Sequence, residues 1–399
     1  MSTVNSIGFA LDPGNVPSFL LDWELTKLCN LDCSYCGTSI ETGGHNNDTK
    51  HPPLEECLPT IDFMYEYVNE YMKYKKPTQR KVILNVYGGE SLFHPDIIEI
   101  LNQIRVKYRP YRDSWYLTVN CTTNGIVGNR QWKKIVPLID NFTVSYHAEN
   151  LPKQKQQYKN NILYLKKQNK PFRCAIMMHN NEKLWADSES IIEFCKEHNI
   201  NYTPKPVDKL LTYSDASSWE YTAEQFNKFK TFWISKVPTT QQLEYKQKLD
   251  KLGTDDTVQS LSEGRPCCGG RKLSLNKDLK SAVAFVPKQG FRGWSCSVNW
   301  FFLYITQLTG NVYINRDCWM TTENKKGAIG HLSKSDEILS TLRTQLSTNS
   351  MPIIKCDQDV CRCGICAPKA ESKTDFMELI QRNVPVDVFQ KECYTNKVN

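Results

Sequence analysis

The feature that most constrains this chain is a repeated change of period through its first half. Six apolar, β-branched runs read as strands: Phe19–Thr26, Lys81–Tyr87, Trp115–Thr122, Asn141–Tyr146, Phe172–Met178 and Asn201–Val207. Helix-like segments lie between them, at Leu54–Tyr74, Pro95–Lys107, Asn129–Ile139, Pro152–Gln168 and Ser188–His198. In the first of these, Leu58, Ile61, Met64, Tyr65 and Val68 make an apolar stripe at helical period. Pro95 falls where the first turn of a helix tolerates proline. Strands alternating with helices mean βαβ units, and therefore an α/β fold around a parallel sheet.

From about Asp208 the alternation stops. Thr222–Lys236 and Thr239–Leu252 read as helices, and Gly253 to Gly264 reads as polar loop. From Cys267 onward the pattern is short strands, glycines and cysteines. The expected division is residues 1–210 for the βα region, 211–265 for a helical linker, and 266–399 for a cysteine-rich extension.

The 16 cysteines are the unusual part of the composition. A disulfide scaffold would be short and secreted, whereas this chain is long and Met1 to Pro17 has no signal-like pattern. A reducing, cytoplasmic setting with metal ligation is the expectation. No apolar run approaches the roughly 20 residues of a membrane helix, so no membrane partner is expected. Lys plus Arg number 50 against 43 Asp plus Glu, a net charge of +7. The basic groups at Lys73, Lys75 and Lys76, at Lys153 and Lys155, and at Lys166 and Lys167 fall in helix-like stretches. They read as a solvated face rather than a nucleic-acid patch.

Ligands of parallel α/β sheets sit at the carboxyl ends of the strands, and the chemically distinctive residues fall there. Residues 29–36, just past the first strand, read Cys-Asn-Leu-Asp-Cys-Ser-Tyr-Cys. Thiolates are the usual ligands of iron–sulfur clusters, normally four to a [4Fe–4S] cubane. Three from this loop would leave one iron open to a chelating ligand, as a catalytic zinc keeps an open position. A zinc knuckle is the other reading of these thiols, with His45 or His51 as fourth ligand. Gly88, Gly89 and Glu90 follow the second strand, Thr123, Asn124 and Gly125 the third, and Ser145 and His147 end the fourth. Taken singly, each is also an ordinary turn or a hydrogen-bonded core residue.

Together these segments resemble the radical S-adenosylmethionine (SAM) superfamily over roughly residues 18–207, on Cys29-x3-Cys33-x2-Cys36, Gly88-Gly89-Glu90 and Thr123-Asn124-Gly125. The resemblance implies a partial (β/α)6 barrel. It implies a [4Fe–4S] cluster held by Cys29, Cys33 and Cys36, with SAM on the open iron, cleaved to methionine and a 5′-deoxyadenosyl radical. Tyr35 matches the aromatic position near the adenine. Gly88, Gly89 and Glu90 match the segment that meets the methionyl ammonium group, and Asn124 belongs to the matching Thr-Asn-Gly. Ser145 and His147 stand where the family contacts the ribose or carboxylate, and Ile176 where an apolar side chain packs on adenine. Ser91 departs from the proline that often follows the glutamate.

Cys267, Cys268, Cys296, Cys318, Cys356, Cys361, Cys363 and Cys366 follow, with Cys393 near the end. Cys296 and Cys318 flank an apparent hairpin turning at Gly310-Asn311, and Ile329-Gly330-His331-Leu332 reads as a short bridge. The layout resembles the SPASM and twitch extensions of radical SAM enzymes. That implies two auxiliary [4Fe–4S] clusters or one; a structural zinc is a third reading. Asp317, beside Cys318, is a candidate base, or else a solvated turn residue. Cys57, Cys121, Cys174 and Cys195 read as buried small hydrophobes, though barrel strands could aim Cys121 and Cys174 inward. The resemblance implies hydrogen abstraction that oxidises or crosslinks a peptide or protein side chain, with flavodoxin or ferredoxin as reductant. Twitch-type oxidation of a small molecule such as an aminosugar, or a non-catalytic iron–sulfur carrier, are the alternatives.

Overall fold

The computed structural model describes residues 6–7, 19–36, 50–75, 80–207, 221–235, 271–275, 283–287, 293–296, 298–314, 328–348, 350–355, 369–370 and 372. Six βα units run in order: β1 Phe19–Thr26 and α1 Leu54–Met72, β2 Lys81–Gly88 and α2 Ile97–Tyr108, β3 Tyr116–Thr123 and α3 Asn129–Ile135. They continue as β4 Asn141–Tyr146 and α4 Pro152–Lys167, β5 Phe172–Met178 and α5 Glu182–Glu197, β6 Tyr202–Pro206 and α6 Ala223–Ser235. Strands β1 to β6 pair parallel in chain order. Right-handed crossovers between successive neighbours put every helix on the same side of the sheet. The expected parallel α/β architecture is present, in a strand order consistent with a partial barrel.

Burial follows from that one-sided cover. Phe19, Leu21, Trp23 and Leu25 alternate along β1, each at most 1% exposed between sheet and helices. Leu20, Asp22 and Glu24 take the other phase and stay half-buried on the inner face. Val82, Leu84 and Val86 on β2 and Leu117, Val119 and Cys121 on β3 repeat the pattern.

Helix α5 begins before the expected Ser188. Asn181 accepts hydrogen bonds on its side chain from Lys183 N and Leu184 N, which caps the helix at Glu182. The expected helix at Thr239–Leu252 lies outside the described residues.

The C-terminal part adds three strands to the same sheet, β7 Phe302–Thr306, β8 Asn311–Tyr313 and β9 Ala328–His331. The hairpin read around Gly310 is present, and Gly310 has φ +67° at its turn. A side chain there would strike the His331 ring, since a Cβ would lie 2.4 Å from Nε2. Strand β7 also lies parallel to β1, Tyr304 opposite Asp22, and so extends the barrel sheet at its first edge. The segment read as a bridge is β9, antiparallel to β8. Helix α7, Ser335–Ser347, was hidden among the cysteine spacings. It buries Ile338, Leu339, Leu342 and Leu346, and Arg343 reaches Glu70 on α1 at 3.0 Å. No described helix is long and apolar enough to cross a membrane.

Lys75, just after α1, was read as part of a solvated face. It is instead 3% exposed, with Nζ 4.2 Å from the Phe301 ring centroid and 3.5 Å from Trp300 O. Burial pushes its pKa down to about 7. Between about pH 7 and the ordinary lysine value the unfolded chain therefore binds more protons than the folded one. Stability supplied by this site rises with pH across that window. Lys75→Met should raise stability near pH 7 by about 2 kcal/mol, the desolvation penalty less the ring contact. The gain should shrink toward pH 10, as read by paired denaturant melts.

Candidate functional site

The expected site residues gather at the carboxyl ends of β1 to β4. The loop after β1 carries Cys29, Cys33 and Cys36, closed by Cys36 N donating to Cys33 O at 3.0 Å. Gly88 and Gly89 run against it. Gly89 N donates to Thr26 O, and Glu90 N to Leu28 O, both at 2.8 Å. A Cβ on Gly88 would lie 2.0 Å from Thr26 O, and one on Gly89 2.4 Å from the carbonyl oxygens of Lys27 and Leu28. These glycines are required by the approach of the cysteine loop's own backbone. Gly88 also has φ +153°.

Glu90 is 1% exposed. Its Oε1 accepts from Leu92 N at 3.1 Å and Thr123 Oγ1 at 2.9 Å, and its Oε2 from Asn124 N at 2.6 Å. Burial pushes its pKa up to about 7, against the lowering effect of those three donors. The carboxylate thus ties the end of β3 to the turn after β2. Asn124 passes the link onward. Its Nδ2 donates to Asn30 Oδ1 at 2.6 Å and lies 3.8 Å from Cys29 Sγ. Asn30 Nδ2 in turn donates to Ile126 O at 3.0 Å. From α4, Asn161 Nδ2 holds Gly125 O and Val127 O at 2.9 and 2.8 Å.

The loop is held from the other side by β4 and β5. His147 Nδ1 lies 2.6 Å from Tyr35 Oη and 3.4 Å from Cys33 Sγ, and the Tyr35 and His147 rings stack at 5.9 Å. Burial pushes the His147 pKa down to about 4. A neutral ring accepts from the Tyr35 hydroxyl. Glu149 accepts from Ser34 N at 2.8 Å and from Ser34 Oγ, and lies 3.9 Å from His179 Nε2. Ser145 takes the half-buried inner phase of β4, opposite Ala175.

Ile176 does not reach this mouth. It is fully buried in the main core, on the helix side of β5. Its neighbour Met177 takes the opposite phase and packs on the group formed by Leu31, Cys33, Tyr35 and Val207, together with Cys29 and Cys36. Cys121 and Cys174 likewise lie on the helix side, at 1% and 0% exposure, and do not aim inward. Cys57 and Cys195 are buried as expected. Cys296 is buried in a two-residue strand pairing Ile354 and Lys369. Asp317, Cys267, Cys268, Cys318, Cys356, Cys361, Cys363, Cys366 and Cys393 lie outside the described residues, as does His45.

Sequence reasoning missed Asn30, Glu149, Asn161 and His179. Asn30 follows the first cysteine directly, and Glu149 stands two residues after His147, so both were within reach of attention to strand ends. Their partners are 94 and 115 residues away, which no local pattern reports.

The donor set fits an iron–sulfur cluster. Three thiols on one short loop share a small apolar group of their own, apart from the main core. Burial pushes the Cys29 thiol up to about 12, and that of Cys33 higher. Thiolates in that setting need the positive charge of bound metal. Among the described residues, no three His, Cys, Asp or Glu converge as a single ion would require.

A short thiol-bearing loop is thus pinned across the ends of the parallel strands. Residues 23–201 match the family model described as the radical SAM superfamily. No curated protein matches the chain. Among solved structures it is similar to the crystal structure of Streptococcus suis SuiB bound to S-adenosylmethionine. There the identity is 11%, the coverage 88% of this chain and 74% of that one, and the TM-score 0.47. It is also similar to native anSMEcpe with bound AdoMet, at 15% identity, 92% and 97% coverage and a TM-score of 0.49. The form of anSMEcpe with bound AdoMet and Cp18Cys peptide gives 14%, 92% and 96%, and 0.48.

Two outcomes are expected from this geometry. Glu90→Ala leaves the buried Thr123 hydroxyl and Asn124 N–H without their acceptor. It should lower the stability of the cofactor-free protein by about 2–4 kcal/mol, read by chemical denaturation. Glu149→Ala frees Ser34 and should leave the fold intact by circular dichroism. It should speed iron loss to a chelator several-fold, through a loosened cysteine loop.

Proposed function

We propose that the chain is a radical SAM enzyme that abstracts a hydrogen atom from a substrate and so oxidises or crosslinks a peptide or protein side chain. One observation carries the reading. The backbone bonds from Gly89 and Glu90 and the side-chain bond from Asn124 to Asn30 join three separated motifs around the Cys29–Cys36 loop. Cys29, Cys33 and Cys36 would hold the cluster. Tyr35, Gly88, Gly89, Glu90, Asn124, Ser145 and His147 would surround SAM, and Met177 is better placed than Ile176 to pack against it. Bound together and supplied with one electron, cluster and SAM provide methionine and a 5′-deoxyadenosyl radical.

The residues' own work is to bind, orient and exclude water. Among the described residues no cation pairs with Glu90, and a methionyl ammonium group would offset its buried charge. Neutral His147 would hold the Tyr35 ring in place through its hydroxyl. The apolar group of Leu31, Met177 and Val207 would keep water from the reacting carbon.

The extension from residue 266 would carry at least one auxiliary cluster on Cys296, Cys318, Cys356, Cys361, Cys363 and Cys366, with Asp317 as base. Such a cluster would take the electron left on the substrate radical. Oxidation of an aminosugar is the second reading, and it uses the same residues.

Anaerobically reconstituted protein should hold more than four irons per chain and make 5′-deoxyadenosine from SAM under dithionite. Replacing Cys29, Cys33 and Cys36 together by alanine should remove about four irons and abolish 5′-deoxyadenosine. Continued SAM cleavage by that variant would overturn the reading, and no iron beyond the first cluster would remove the auxiliary one.

A further inference from the structure

Filled (β/α)8 barrels pack their inner face with layers of bulky branched side chains. The inner face here is largely polar. Asp22 on β1, Asn85 on β2, Asn120 on β3 and Asn141 on β4 stand in one register row. Asn141 Nδ2 donates to Asn120 Oδ1 at 2.9 Å, Asn120 Nδ2 to Asn85 Oδ1 at 3.2 Å, and Asn85 Nδ2 to Asp22 Oδ1 at 2.7 Å. Every amide donates toward β1, so the row ends on a carboxylate. All four side chains remain half-buried rather than sealed. Each amide has a second N–H and a second lone pair to offer. The row is a pre-ordered floor able to bond hydroxyl or peptide groups.

One inner position nearer the mouth stands Glu24, opposite Tyr87 on β2 and Thr306 on β7. Tyr304 donates its hydroxyl to Glu24 Oε2 at 2.9 Å. The Tyr304 ring stacks on Tyr87 at 6.4 Å and 15°, and on Tyr313 at 5.6 Å and 25°. A half-buried carboxylate thus borders three stacked rings, and among the described residues its Oε1 takes no hydrogen bond or ion pair. Glu24 precedes Thr26, the last residue of β1, by two positions, about 7 Å of strand. A group seated on Glu24 therefore lies just beneath the cysteine loop.

We propose that Glu24, oriented by Tyr304, seats a protonated amine or guanidine of the substrate on this inner face. The carboxylate supplies charge and the tyrosine rings supply faces that favour a cation. The amide row receives the polar groups that follow it. The inference rests on the reading above and narrows it. The cation is either a lysine or arginine side chain of a peptide or the amine of an aminosugar, and both carry the same chemistry.

The test uses the reconstituted full-length holoenzyme with SAM, without reductant, in equilibrium dialysis. The peptide probes are Gly-Gly-Lys-Gly-Gly and Gly-Gly-Arg-Gly-Gly against the same peptide with norleucine. The sugar probes are glucosamine against glucose. At least one cationic probe should bind about tenfold more tightly than its neutral counterpart, and the arm in which this happens names the source. Glu24→Gln should erase that preference, and Tyr304→Phe should weaken it several-fold while keeping the ring stack. Equal binding of cationic and neutral probes in both arms overturns the proposal, as does a preference that survives Glu24→Gln. Should Glu24→Gln fail to fold, the wild-type preference and its response to Tyr304→Phe decide. Wild-type 5′-deoxyadenosine formation without any probe tests the radical SAM reading separately.

Discussion

A carboxylate with almost no exposed surface stands where the ends of three strands meet. Glu90 takes three donors from the turn after β2 and the end of β3, while its own N–H donates to the loop after β1. Burying a charge this deeply is costly unless donors surround it. The donors are backbone and side-chain groups of the segments that must be aligned, so the cost and the alignment have one origin. The closeness of the Gly88–Gly89 backbone to Thr26–Leu28 completes the joint. Any side chain there would force the cysteine loop off the sheet.

Around this joint the sheet divides its two faces by chemistry. The helix side is apolar and close-packed, from Trp23 on β1 to Ile176 on β5. The inner side keeps an amide row ending on Asp22, and a carboxylate bordered by tyrosines. Strand β7 belongs to both. It widens the sheet beside β1 and brings Tyr304 to Glu24 from 280 residues away in the chain. Two halves that read as separate in the sequence thus share one sheet and one inner surface.

Much of the fold was legible because it is periodic. The bounds of β1, β4 and β5 coincide with the expected runs, since a strand covered on one face must alternate and a helix that covers it must repeat at its own period. Helix α7 was not legible, because its leucines lie between Cys318 and Cys356, in a region read by its cysteine spacing rather than its apolar period. The start of α5 depends on one side-chain cap at Asn181, which period alone does not report. Lys75 looked like surface from its neighbours, and only the packing of Trp300 and Phe301 buries it.

The sequence by itself determined the order of strands and helices, the position of the cysteine loop at a strand end, and the segments that meet it. These are local properties, written in spacing and residue type. Tertiary structure alone decided which oxygen each donor meets. Glu90 accepts from Leu92, Thr123 and Asn124, Ile176 is turned to the core while Met177 faces the loop, and Glu149 clamps Ser34 across 115 residues. The physical reason is that a strand's phase and its neighbours across the sheet set where a side chain points, and both are fixed only when the whole sheet is assembled.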